Sequence, residues 1–180
     1  HVQSSAWGNL FLITLCLVVY REHDRSVDFP GKLSLRMEKM NTLHDQVALV
    51  TGAGSPQGIG FASARALGDE GASLFIVSTT DRIHDRAAEL DLYGIQAIGM
   101  VADLTHPEAV NAVMDAIKTK YGRLDICINN AGMTVVGETQ FESPVDEILL
   151  EEWNHSLERN LTSCFLVTSA VLPMMRGQKY

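Results

Sequence analysis

Cysteine is scarce in this sequence: three in 180 residues, Cys16, Cys127 and Cys164, with no Cys-x-x-Cys and no metal-ligand spacing. That excludes a disulfide-built scaffold and a structural zinc site, so no metal is expected, and it fits reduced thiols in a cytoplasmic protein. Positive charge is also short, with 14 Lys+Arg against 22 Asp+Glu and a net charge of -8. Such a chain repels phosphate backbones, which argues against nucleic acid as a partner. A local positive site for a small phosphorylated ligand is still permitted. Long apolar runs are missing too. Leu10 to Tyr20 is an apolar run of eleven residues, where about 20 are needed to cross a bilayer. No basic residue precedes it and no small-x-small cleavage site follows closely, so neither a span nor a signal peptide is expected. There is no internal repeat and no low-complexity tract. What is present, 46% hydrophobic and 20% charged residues, is ordinary globular composition, enough for one domain with a sizeable core.

Two unlike segments make up the chain. Arg21 to Met40 is charged and irregular and is broken by Pro30-Gly31. The first residue is His1, and Met37 and Met40 stand just before the regular pattern. Residues 1–45 are therefore read as an extension outside the fold, with a membrane-proximal anchor or an extra packed element as the alternatives. From Gln46 onward, strand and helix patterns alternate. Val47 to Val50 is a short continuous apolar run, as in a strand buried on both faces. Ile59 to Glu70 reads as a helix with Ile59, Ala62, Ala66 and Leu67 on its inner face, ended by Gly71. Ser73 to Val77 is a second strand, Arg82 to Leu92 a helix, and Gln96 to Val101 a third strand. Pro107 opens a third helix, where proline is tolerated, with Val110, Val113, Met114 and Ile117 inward. Leu124 to Ile128 is a fourth strand. Trp153, Leu157, Leu161, Phe165 and Thr168 repeat along a long final helix. The expected fold is α/β: a Rossmann-like, doubly wound parallel sheet, incomplete, of about four βα units plus a long helix over residues 46–180. In such a sheet the loops at the carboxyl ends of the strands bind ligands.

Those loops carry the candidate site. Thr51-Gly52-Ala53-Gly54-Ser55-Pro56-Gln57-Gly58-Ile59-Gly60 joins the first strand to the first helix. Gly52 lets the backbone turn tightly and approach a diphosphate. Ser55, Gly58 and Ile59 bring the helix amino terminus and its unpaired N–H groups to it, and Gly60 allows close helix-to-strand packing. A glycine-rich stretch alone is a weak signal. Its place between a buried strand and a helix makes it a strong one. The second strand ends in Ser78-Thr79-Thr80-Asp81-Arg82. An acidic residue at that end would bind a free ribose 2'-hydroxyl. Ser78 and Thr79 with Arg82 suit a 2'-phosphate better, which favours NADP(H) over NAD(H). Asp81 argues the other way unless it caps the second helix. Asp103-Leu104 follows the third strand, and Asp103 can either accept from an adenine amino group or cap the next helix. Asn129-Asn130-Ala131-Gly132 follows the fourth. Its small residues leave room for a ring and ribose, and its asparagines can tie strand ends together.

These residues together resemble the short-chain dehydrogenase/reductase family, over about Gln46 to Tyr180. The family's turn is TGxxxGxG; Thr51-Gly52 and Gly58-Ile59-Gly60 match it, with two extra residues between. Asp103 is similar to the family's adenine-contacting aspartate, Asn130-Ala131-Gly132 to its NNAG motif, and Trp153 and Asn160 to its long helix. The resemblance implies an NAD(P)-dependent oxidoreductase that moves a hydride between NADP(H) and a carbonyl or alcohol. It implies that Asn160 holds a water in the proton relay. It further implies a small-molecule substrate and homo-oligomerisation of the whole protein. The family's catalytic serine and Tyr-x-x-x-Lys have no counterpart here. Tyr20, Tyr93 and Tyr121 are followed four positions on by Asp24, Ala97 and Asp125, and Tyr180 is the last residue. Ser163 and Ser169 lie on the long helix and cannot be carried over. These residues are thus expected to be the amino-terminal part of such an enzyme, inactive by that route alone. Residues 133–143 are expected to edge a substrate pocket. A non-catalytic binding module is the alternative. A methyltransferase is disfavoured because Ser78 replaces the acidic residue such a fold wants.

Overall fold

A computed structural model describes residues 16–19, 42–132 and 144–178. The elements in chain order are β1 (Cys16–Val19), β2 (Val47–Thr51), α1 (Ile59–Asp69), β3 (Ser73–Ser78), α2 (Arg82–Leu92), β4 (Ala97–Val101), α3 (Pro107–Tyr121), β5 (Ile126–Asn129), α4 (Leu150–Leu157), a π-helical turn (Glu158–Thr162) and α5 (Ser163–Gly177). The sheet order is β1-β5-β2-β3-β4. β2, β3, β4 and β5 run parallel. Strand order reverses at β2: the chain moves outward through β3 and β4, then returns to place β5 on the other side. A crevice at the carboxyl ends of β2 and β5 follows from that reversal.

The apolar strand runs explain the layers. Along β2, Val47 and Leu49 enter one core while Ala48 and Val50 enter the other. Phe75 and Val77 of β3 join Leu49, α3 and α5 in the first; Leu74 and Ile76 join α1 and α2 in the second. Strands buried on both faces need no polar alternation, which is why they read as continuous runs. Helix α2 buries Ile83 and Leu90, and α3 buries Val110, Val113 and Ile117 of the four residues its spacing predicts, with Met114 partly buried.

Helix α1 differs from its expected face. Gly60, Phe61, Ala64 and Gly68 are buried, whereas Ile59 is 47% exposed and Ala62 and Ala66 lie outward. The smallest residues face the sheet because the helix packs too close for larger ones. A Cβ on Gly68 would stand 2.2 Å from Ile95 Cγ2. Along the long helix, Trp153, Leu157, Leu161 and Phe165 are exposed, and Ser163, Val167, Val171 and Met175 face inward.

The boundary at residue 46 shifts as well. Leu43 N–H donates to Glu70 O at 3.0 Å, and the Leu43 side chain packs on the α1–α2 core. Within the segment expected to lie outside the fold, Cys16–Val19 pairs antiparallel with β5, Cys16 opposite Asn129 and Val19 opposite Ile126. For these four residues the expectation is corrected. A sheet edge presents unpaired N–H and C=O groups, and an apolar, β-branched segment can satisfy them. The rest of residues 1–41 lies outside the described residues, as do residues 133–143.

Candidate functional site

Four loops meet at the carboxyl edge of the sheet, and buried Thr51 joins two of them. Its Oγ1 donates to Ile128 O at 3.3 Å and accepts from the N–H groups of Asn130 at 3.0 Å and Ala131 at 2.9 Å. Asn130 reaches back, its Nδ2 donating to Thr51 O and Gly52 O, both at 3.1 Å. Sequence reasoning named Thr51 as part of the turn and missed this role; a threonine closing a buried strand before glycine was the signal. Replacing Thr51 by valine keeps the shape but orphans two partly buried N–H groups. It is expected to cost about 2 kcal/mol of stability, and an unchanged melting temperature would contradict that role.

Small residues let these pieces touch. Gly52 has φ of +70°, and a Cβ there would lie 2.9 Å from Ala131 N and Cα. Gly60 would press a Cβ to 2.5 Å from Asn130 Nδ2 and 2.7 Å from Gly52 O. Gly58 is the residue before α1; its N–H donates to Ser55 O at 3.1 Å, so the two inserted residues close a local turn. No side chain caps α1, and its first turn holds no acidic residue. The first-turn N–H groups, left without a side-chain cap and with the helix dipole behind them, fit an anionic diphosphate. That is the observation on which these residues fit a dinucleotide.

At the end of β3 the hydroxyl of Ser78 is already engaged. Its Oγ donates to Thr80 O at 2.9 Å and accepts from Thr80 N at 3.3 Å. Ser78 therefore shapes the loop, while exposed Thr79, Thr80 and Arg82 present the polar groups. Arg82 Nε donates to Thr80 Oγ1 at 3.3 Å. Asp81 stands at the N-cap of α2 but makes no side-chain capping bond. Asp103, exposed at the end of β4, is not a helix cap either, since His106 holds that position for α3. Burial pushes its carboxyl up, but the Thr105 hydroxyl and N–H, with the charges of His106 and Arg159, outweigh this and hold it below the usual carboxylate range. Leu104 sends its side chain into the core of α3 and α5.

Asn160 lies in the π-helical turn, a feature that recurs at functional sites and that nothing in the sequence pattern announced. Its Nδ2 donates to Ser156 O at 3.0 Å. A Cβ on Gly132 would stand 2.9 Å from Asn160 Oδ1, so glycine brings the β5 loop onto this turn. Asn129 adds a second tie, donating from Nδ2 to Thr168 Oγ1 at 3.0 Å. The structure thus brings Gly52, Gly60, Asn130, Ala131, Gly132 and Asn160 together. Ser78, Thr79 and Arg82 lie at the end of β3, and Asp103 at the end of β4.

The chain is similar to known proteins in sequence and in fold. Residues 46–180 match the family model described as short chain dehydrogenase. The chain is 38% identical over 141 residues to a 3-oxoacyl-(acyl-carrier-protein) reductase of Vibrio cholerae, covering 76% of this chain and 52% of that protein. It is 35% identical over 144 residues to a 5-keto-D-gluconate 5-reductase of Escherichia coli, covering 79% and 54%. The chain spans about half the length of these relatives. Among solved structures, a short chain dehydrogenase from Mycobacterium smegmatis matches with TM-score 0.69 and 32% identity, covering 83% of this chain and 59% of that one. A metagenomic short-chain oxidoreductase in complex with NADP matches with TM-score 0.68 and 32% identity, covering 77% and 60%.

Proposed function

Because the chain belongs to the short-chain dehydrogenase family, we propose that its described residues hold NADP(H), in preference to NAD(H), for a hydride transfer to or from a carbonyl or alcohol. The observation that carries this reading is the uncapped, acid-free start of α1 beside the stitched ends of β2 and β5. A nicotinamide dinucleotide, when bound, supplies or accepts the hydride. Gly52, Ser55, Gly58, Ile59 and Gly60 would seat the diphosphate. Thr79, Thr80 and Arg82 would take the 2'-phosphate, on the loop that Ser78 shapes. Asp103 would accept from the adenine amino group, with Leu104 anchoring that loop in the core. Asn130, Ala131 and Gly132 would leave space for the nicotinamide ribose, and Asn160 would orient a water on the proton path.

The 180 residues include no Tyr-x-x-x-Lys, so the proton donor of the resembled mechanism is not among them, and these residues alone are proposed to bind without turnover. The substrate is proposed to be a small molecule with a keto or hydroxyl group, met by a cytoplasmic homo-oligomer. Among the described residues no helix is long and apolar enough to cross a membrane.

Calorimetric titration tests the cofactor assignment. NADPH is expected to bind more tightly than NADH. Arg82→Ala should weaken NADPH about tenfold, as loss of one charge-assisted contact does, and leave NADH unchanged. Tighter binding of NADH by the unaltered protein would overturn the preference.

A further inference from the structure

We propose that Thr105 and His106 are positioning residues that fix the Asp103 carboxylate as a directed acceptor for the exocyclic amino group of a bound adenine. The proposal rests on the dinucleotide reading and adds two residues to it. Thr105 donates twice to the same oxygen: its N–H lies 3.1 Å from Asp103 Oδ1 and its Oγ1 lies 2.7 Å from it. A hydroxyl has one proton and two acceptor lone pairs. The Thr105 proton is committed to Asp103, so the 2.8 Å contact between Thr105 Oγ1 and His106 Nδ1 must be donated by the ring. The order is therefore His106 Nδ1–H to Thr105 Oγ1–H to Asp103 Oδ1. In such a chain each bond polarises the next.

Two features separate this from a plain local turn. His106 occupies the N-cap of α3 but makes no capping bond; its ring turns back to Thr105 instead. Both Thr105 bonds also converge on Oδ1, and no hydrogen bond from the described residues reaches Oδ2. One oxygen is thereby held and the other is presented at the open end of β4. A carboxylate fixed this way accepts from the amino group of adenine and repels the carbonyl oxygen that hypoxanthine carries at the same place.

The test measures dissociation constants for NADPH and for its deaminated, hypoxanthine-containing counterpart, with melting temperatures as a control for folding. The unaltered protein is expected to prefer adenine. Thr105→Val should reduce that preference about tenfold, the effect of removing a hydrogen bond to a charged group, and Thr105→Ser should keep it. His106→Ala should reduce it several-fold, and His106→Asn, which can donate from the same place, should restore most of it. Folded Thr105→Val and His106→Ala proteins that keep the full preference would overturn the relay and leave the dinucleotide reading standing. An unaltered protein that binds neither nucleotide would overturn that reading, and the relay with it. Should Thr105→Val fail to fold, His106→Ala, at an exposed position, decides by itself.

Discussion

Gly60→Ala is expected to abolish measurable NADPH binding, a loss of at least about a hundredfold, or roughly 2.7 kcal/mol. The added methyl would meet Asn130 Nδ2 at 2.5 Å and Gly52 O at 2.7 Å. The first partner ties β5 to β2, and the second is backbone at the start of the turn. Neither can yield without moving the seat proposed for the diphosphate. Gly52→Ala should act similarly for two reasons. Its Cβ would lie 2.9 Å from Ala131 backbone atoms, and a side chain at φ +70° carries a left-handed penalty of about 1–2 kcal/mol. Gly94→Ala is the matched control: φ is +74° there, but nothing lies within 4 Å of the new atom. It should carry the backbone strain and leave binding intact. Titration of the three variants checks the set, and full NADPH affinity in Gly60→Ala would contradict it.

The second large effect lies at the opposite, amino-terminal end of the strands. Asp125 accepts from Val47 N at 2.8 Å and from Arg123 Nε and Nη2, both at 2.9 Å. Gln178 Nε2 adds a longer contact at 3.4 Å, after donating to Leu124 O at 2.9 Å. One carboxylate thus joins β2, the residues before β5 and the end of α5. Its side chain is 4% exposed, whereas that of Arg123 is 39% exposed. Asp125→Ala should therefore cost about 2–3 kcal/mol, because it orphans the buried Val47 N–H and removes the shared acceptor. That corresponds to a fall of about 4–12 °C in melting temperature for a chain of this size. Arg123→Ala should cost less, because Asp125 keeps its bonds from Val47 N and Gln178 Nε2 and water can fill the half-exposed place of the guanidinium. Equal losses in the two variants, by calorimetric melting, would contradict this account.

These contrasts show what was legible in the sequence. The parallel sheet was, because Val47 to Val50 and Leu74 to Val77 sit between two cores and so carry no polar alternation. Helix α3 was, because Pro107 marks its start and Val110, Val113 and Ile117 share a face. The inner face of α1 was not. Gly60, Ala64 and Gly68 pack by being small, and a search for apolar bulk selects Ile59 instead. The paired β1 was not legible either, since a strand docked on an edge depends on an acceptor 107 or more positions away. At the site, the glycine turn, Asp103 and Asn130-Ala131-Gly132 were visible as residue types at strand ends. The closure of the Ser78 hydroxyl on Thr80 and the threefold role of Thr51 were not. Both depend on which way a single hydroxyl points, and composition carries no information about that.

Determining a structure with NADPH bound tests the central claim most directly. The account predicts diphosphate oxygens against the N–H groups at the start of α1, between Gly52 and Gly60, with the adenine toward Asp103 and the nicotinamide end toward Gly132. A coenzyme lodged on any other face, with that turn left untouched, would contradict it.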